Sequence, residues 1–365
     1  MRRLLILTAA VALAVAAGAP MAASADTGQH GAITITSNSD FTAPGSAAGC
    51  ACVTAGNGTA ASPYVIGPWS FTAPSGGSSG WAIKVDNSGG GVTSPFAISG
   101  ISANYSGVPI ADPVIVLVDV NNATISNVSA NEDGRGVELD GSSNITLDNL
   151  TFNKMNGNGL FINGSSHVTL SNSKFKSTND NTVPHNADGV YALNSAYLWI
   201  GGVSACPANM ICNSFDYNSG FGIYLQNSHD VTIDHASANA DDTAGYVLDN
   251  SWNVNLGNSG AGSDGPICFT LNMVRTHTGY VSDLQGNLML INGSHDNVIH
   301  DDQLAAPIGG PSIGSGGNGF FFDPCSKTKV PISPVEGLMG GNNTFTNVCY
   351  SSTDIASLEP AQPCK

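Results

Sequence analysis

Charged residues make up only 10% of this 365-residue chain, yet several of its carboxyls gather in one region. Glu132, Asp133, Arg135 and Glu138 come first, then His185, Asn186 and Asp188, then Asp241 and Asp242. Two bond cleavages suit such a set. Hydrolysis of an acetal uses one carboxylic acid to protonate the leaving oxygen and one carboxylate to activate water, roughly 6.5–9.5 Å apart. β-Elimination on a uronate uses a base and a cation that neutralises the substrate carboxylate. Asp188, Asp241, Asp242 and Glu138 are the candidate acids and bases, with His185 beside Asp188. Arg135 is the first candidate cation, and Lys154, Lys174 and Lys176 lie near it in the chain. Phe161, Tyr191 and Tyr224, with Asn158 and Gln226, are candidate substrate contacts, since sugar rings pack their C–H surfaces on aromatic faces. An aromatic column on a strand face also stabilises a sheet by itself, so both readings stand.

A repeat positions these residues. Gly136-Val-Glu-Leu-Asp-Gly-Ser-Ser-Asn-Ile-Thr-Leu147 recurs as Gly159 to Leu170, Gly189 to Ile200, Gly222 to Ile233 and Gly245 to Leu256, with starts 23, 30, 33 and 23 residues apart. A period in the low twenties, lengthened by insertions, predicts a solenoid. With the glycine as position zero, positions one, three, nine and eleven are apolar throughout, as in Val137, Leu139, Ile145 and Leu147. That period of two predicts short strands with one buried face. Position two points outward and carries Glu138, Phe161, Tyr191 and Tyr224; position four carries Asp140, Asn163, Gln226 and Asp249. Position thirteen reads Asn149, Asn172, Gly202, His235 and Asn258, a column suited to amide stacking at a bend. His167, His229 and His295 stand at bends and suit packing in the same columns. Asp188 and Asp241/Asp242 are two coils apart, about 9.6 Å along the axis. The stretches 171–188 and 201–221 are long enough to wall a cleft.

The pattern G-[VIL]-x-L-x-x-S-x-x-[NHD]-[VI]-T-[LI]-x-N over about residues 114–300 resembles the right-handed parallel β-helix proteins of the pectin-lyase-like superfamily, in particular the NosD-like and CASH group. Gly56-Asn57-Gly58-Thr59 followed by Ser62-Pro63-Tyr64-Val65-Ile66 and Trp69 is similar to the lead-in of such proteins. The resemblance implies an all-β, single-domain right-handed parallel β-helix. Extending the frame to starts at Gly80, Val114, Pro266, Asn287 and Gly319 gives about nine or ten coils. The expected limits are a signal peptide over 1–25, an N-terminal cap over 26–75, the β-helix over 76–350 and a tail over 351–365. Asn186-Ala187-Asp188-Gly189-Val190 is similar to the Asn-Thr-Asp-Gly strand of the polygalacturonase family, where the Asp is catalytic. Gly220-Phe221 stands where that family carries its paired Asp, and its His-Gly and Arg-x-Lys elements are absent.

Arg2 and Arg3, the apolar run Leu4 to Ala19 and Ala23-Ser24-Ala25 predict a secretory signal, hence an extracellular protein with no transmembrane segment. Eight cysteines in an exported chain favour disulfides over a metal site, with Cys206–Cys212 and Cys349–Cys364 as candidate pairs. Net charge is −16, which disfavours nucleic acid and anionic membranes as partners. No cofactor and no resident metal are expected; Ca2+ on loop Asp and Asn oxygens is compatible with the sequence. The expected protein is a monomeric, secreted carbohydrate-active enzyme: a glycoside hydrolase on an extracellular polysaccharide, with a polysaccharide lyase or a non-catalytic glycan-binding scaffold as alternatives.

Overall fold

The computed structural model describes residues 28–42, 51–72, 80–105, 112–131, 134–176, 187–201, 213–216, 218–238, 244–257, 267–269, 286–291, 293–300, 302–304, 318–322, 337–339, 343–346 and 349–350. The predicted signal peptide and tail lie outside them, as do His185, Asn186, Asp241, Asp242, Cys206, Cys212 and Cys364.

β-Branched and long aliphatic residues at alternate positions favour extended backbone with one dry face. In the structure these segments form a parallel sheet of ten strands in sequence order: Ile33–Ile35, Ile83–Asp86, Pro113–Val118, Arg135–Asp140, Leu160–Asn163, Val190–Leu193, Phe221–Gln226, Ala244–Asp249, Gly286–Ile291 and Asn318–Phe322. Each strand opens one coil, so the ten among the described residues agree with the nine or ten expected. A second sheet stacks the following limb of each coil, including Asn121–Asn131, Ser143–Asn153, Ser166–Ser171, Ala196–Ile200, His229–Ile233 and Trp252–Gly257. A third limb is shorter: the end of Ser143–Asn153 pairs with Lys174–Lys176, then Asn213–Asp216, then Ala236–Ser237. The fold is a right-handed parallel β-helix with one continuous apolar interior.

The residues that interrupt the apolar pattern make the corners. Position five (Gly141, Gly164, Asn194, Asn227, Asn250), position eight (Asn144, His167, Tyr197, Asp230, Asn253) and position thirteen (Asn149, Asn172, His235) all have φ between 46° and 57°. Side chains rarely adopt this left-handed region; glycine does so freely, and Asn and Asp more readily than most. The amides are used twice. Asn149 donates to Asn127 Oδ1 at 2.8 Å, and Asn250 to Asn227 Oδ1 at 2.8 Å, so each corner is tied to the coil before it.

Inside the first corner runs a buried serine column at position six. The backbone N–H of Ser142 donates to Ser165 Oγ (3.0 Å), Ser165 to Ser195 (3.2 Å), Ser195 to Ser228 (3.2 Å), Ser228 to Ser251 (3.2 Å) and Ser251 to Ser294 (3.0 Å). Each hydroxyl also donates to a backbone carbonyl, as Ser195 does to Leu193 O at 2.8 Å. The turn thereby satisfies polar groups that water cannot reach.

The leading glycine is a packing requirement. A Cβ on Gly159 would lie 2.7 Å from the side chain of Phe175 and 2.8 Å from Gly189 O; one on Gly189 would lie 2.8 Å from Phe215 Cβ. Phe152, Phe175 and Phe215 come from the third limb, Phe152 stacked on Phe175 at 5.1 Å and Phe215 tilted against Phe175 at 5.4 Å, closing the interior against these glycines.

At the N-terminal end, Ile33–Ile35 pairs in parallel with Ile83–Asp86, and Tyr64–Ile66 and Trp69–Thr72 pair in parallel with Phe96–Asn104. Cys52 is buried and disulfide-bonded. Trp81 is half-buried and donates to Thr34 Oγ1 at 3.1 Å, while Ala82 and Ile83 are buried beside it. Downstream, Asn287 and Gly319 fall in register with Gly245, as the frame predicted. Ile267–Phe269, after Pro266, instead pairs with Asp302–Leu304 in a separate three-stranded sheet. It continues the coil begun at Gly245 and starts none. Among the described residues no helix is long and apolar enough to cross a membrane.

Candidate functional site on the first sheet

The outer side of the first sheet carries position two of each coil. In register it reads Thr34, Lys84, Val116, Glu138, Phe161, Tyr191, Tyr224, Val247, Met289 and Phe321. The anticipated aromatic stripe is present. Phe161 and Tyr191 have centroids 5.2 Å apart, and Tyr191 and Tyr224 4.9 Å apart with planes inclined by only 12°. Near-parallel rings one strand apart cover one another's faces. The Arg135 guanidinium covers the open side of Phe161 at 5.9 Å. The sequence suggested open ring faces; here the Tyr191 and Tyr224 faces cover one another, Arg135 lies over Phe161, and Tyr224 is itself buried.

A hydrogen-bond network crosses three coils on this side. Tyr191 Oη donates to Gln226 Oε1 at 2.6 Å, Gln226 Nε2 donates to Asp249 Oδ2 at 3.1 Å, and Tyr224 Oη donates to the same oxygen at 2.7 Å. Burial raises both phenol pKa values, for Tyr224 with the Asp249 hydrogen bond as the next cause and for Tyr191 with the charge of Asp188. Asp249 completes this network and was absent from the predicted site. Its signal was available: it occupies position four one coil after Gln226.

Asp188 lies within electrostatic reach of both phenols. It is fully buried, and its backbone N–H donates to Asn158 Oδ1 at 2.9 Å. Oδ1 accepts the Phe221 N–H at 2.7 Å, while Oδ2 is buried without a hydrogen-bond partner. A Cβ on Gly220 would overlap Oδ1, so Gly220-Phe221 supplies both space and donor for this carboxylate. Desolvation pushes the carboxyl up to about 7, against the opposing Phe221 hydrogen bond.

The other predicted residues divide plainly. Arg135 Nη1 and Glu138 Oε2 form an ion pair at 3.0 Å, two coils from Asp188. Asn158 and Tyr224 are buried, whereas Phe161, Tyr191 and Gln226 are half-buried. Lys174 and Lys176 stand on the third limb, away from Glu138, and Lys176 faces Asp216 at 3.6 Å. The histidines pack in columns as expected: His167 on Tyr197 at 4.8 Å, His229 on Trp252 at 4.6 Å and Trp252 on His295 at 5.9 Å. Among the described residues no three His, Cys, Asp or Glu side chains converge as a metal set.

Among solved structures, the chain is similar to the A-module of the Azotobacter vinelandii mannuronan C-5 epimerase AlgE4, at 10% identity over 82% of this chain and 74% of that one, with a TM-score of 0.46. It is also similar to a mutant tailspike protein of E. coli bacteriophage HK620 in complex with a pentasaccharide (12% identity, 78% of this chain, 49% of that one, TM-score 0.44). A third is the catalytic domain of a GH87 α-1,3-glucanase in complex with nigerose (14% identity, 88% of this chain, 58% of that one, TM-score 0.39). The chain thus spans about half the length of the last two. No curated protein matches it. The family described as "right handed beta helix region" matches residues 113–355, well over half of the chain, and the protein belongs to that family.

Proposed function

We propose that the protein is exported and hydrolyses an extracellular polysaccharide along the outer side of its first sheet, with Asp188 as proton donor. Asp188 carries the proposal. A carboxyl raised to about 7 is protonated below neutrality, and its second oxygen is uncommitted. A titrating group shifted this far by burial, beside a polar network, is a functional-site candidate. Asp188 has no exposed surface, so donation requires that substrate binding open a path to Oδ2. Activation of water falls to a second carboxylate, from Asp241, Asp242 or Glu138. Glu138 lies two coils away, about 9.6 Å along the axis before any offset along the strands, which is already past the upper end of the inverting range, so the two side chains would have to lean together. Hydrolysis is favoured over β-elimination by the cations: Arg135 is held by Glu138 and Phe161, Lys84 of the same column is held by Asp86 and Trp81, and Lys174 and Lys176 stand on another limb.

The test is a polysaccharide panel scored for new reducing ends and for unsaturated-uronate absorbance, with and without Ca2+. Reducing ends alone, lost in Asp188→Asn and declining in wild type as pH rises through about 7, are the expected result. Uronate absorbance would replace hydrolysis with elimination. The Phe221 N–H bond favours a second reading, in which Asp188 only caps the next coil and the protein holds glycan without cleaving it. Binding without products of either kind would select it.

A further inference from the structure

Three large apolar side chains are exposed among the described residues: Tyr197, Trp199 and Val298. Tyr197 is stacked on His167. Trp199 is 40% exposed and stacks on no other ring among the described residues. It occupies position ten of the second sheet, where neighbouring coils place Thr124, Thr146, Thr169, Thr232 and Asn255.

The indole does not stand up from this sheet. A Cβ at Gly201 would overlap Trp199 Nε1 and Asp234 Oδ1, so the ring lies down over a residue that has no side chain. Its Nε1–H donates to Asp234 Oδ2 of the next coil at 3.3 Å, which fixes its rotation. The product is a partly exposed indole beside the half-buried Thr169 and Thr232, anchored at Nε1 by the buried Asp234.

We propose that Trp199 is the stacking platform of a carbohydrate-binding site on the second sheet, taking a pyranose unit of a neutral glycan. The C–H surface of a pyranose is drawn to the negative face of an aromatic ring, and the threonine hydroxyls accept and donate at its rim. The net charge of −16 and the adjacent Asp234 disfavour a polyanion. A protein partner would need about 800 Å² of complementary surface, which one ring framed by threonines does not supply. The site lies on a different sheet from Asp188 and does not depend on the hydrolytic reading.

The test uses the secreted protein in native gels containing soluble xylan, mixed-linkage β-glucan or galactomannan, with polygalacturonate and alginate as anionic probes. Retardation by at least one neutral polymer is expected. Trp199→Ala should weaken it about tenfold or more without lowering the Tm, and Trp199→Phe should retain part of it. Gly201→Ala should also weaken it by lifting the ring. Wild-type retardation in the Trp199→Ala gel would overturn the proposal, and so would retardation by the anionic polymers alone or by none.

Discussion

Asp188 is held in a way that costs stability. Below a pH of about 4 its carboxyl is neutral in both folded and unfolded chains. Between that point and about 7 the unfolded chain releases the proton and the native chain keeps it. The unfolded state then binds fewer protons, so stability falls as pH rises through this window, on the order of 1 kcal/mol per pH unit for one such group. Asn cannot ionise and can still accept the Phe221 N–H. Asp188→Asn should therefore match wild type in Tm at pH 4 and exceed it at pH 8, by thermal melts across that range. Equal melting at both ends would mean that the carboxyl is ionised with little penalty. The residue stood out in the sequence by its type and by the Asn-Ala-Asp-Gly context. Its burial did not, because that depends on what Gly220 and Phe221 of the next coil place over it.

At the scale of one corner, the serine column and the glycine column are separable. Ser195→Ala would leave the buried Ser165 N–H without its acceptor, a loss of about 1–3 kcal/mol measurable by urea denaturation. Gly159→Ala fails differently: the new methyl meets Phe175 and a backbone carbonyl, and overpacking of this kind costs about 1–3 kcal/mol. Combining Gly159→Ala with Phe175→Leu should recover part of that loss, and a purely additive double variant would show that the clash is not with the ring. Strand alternation and corner residues were legible here because one side chain reports one local conformation. Serine at position six recurs in all five clean repeats, yet its role needs two coils at once. The ring-on-ring arrangement of Phe161, Tyr191 and Tyr224 was half legible. Register gave the column, but whether faces or edges meet the solvent follows from side-chain tilt.

Across the whole molecule, each coil touches only its neighbours, so stability should be a sum of local terms. Val137→Ala and Val254→Ala are four repeats apart, both in the interior, and their destabilisations should add to within about 0.5 kcal/mol in urea unfolding. Strong coupling between them would mean that the coils do not act as nearest-neighbour units. The serine column carries a further consequence. Every rung takes its hydrogen bond from the coil before and offers its own N–H to the coil after, and nothing in it records how many rungs there are. Chain length is therefore an open variable for the lineage. A tandem duplication of residues 136–158, one whole period ending before Gly159, would enter the stack as another identical unit, and such proteins can lengthen by copying where others must be redesigned.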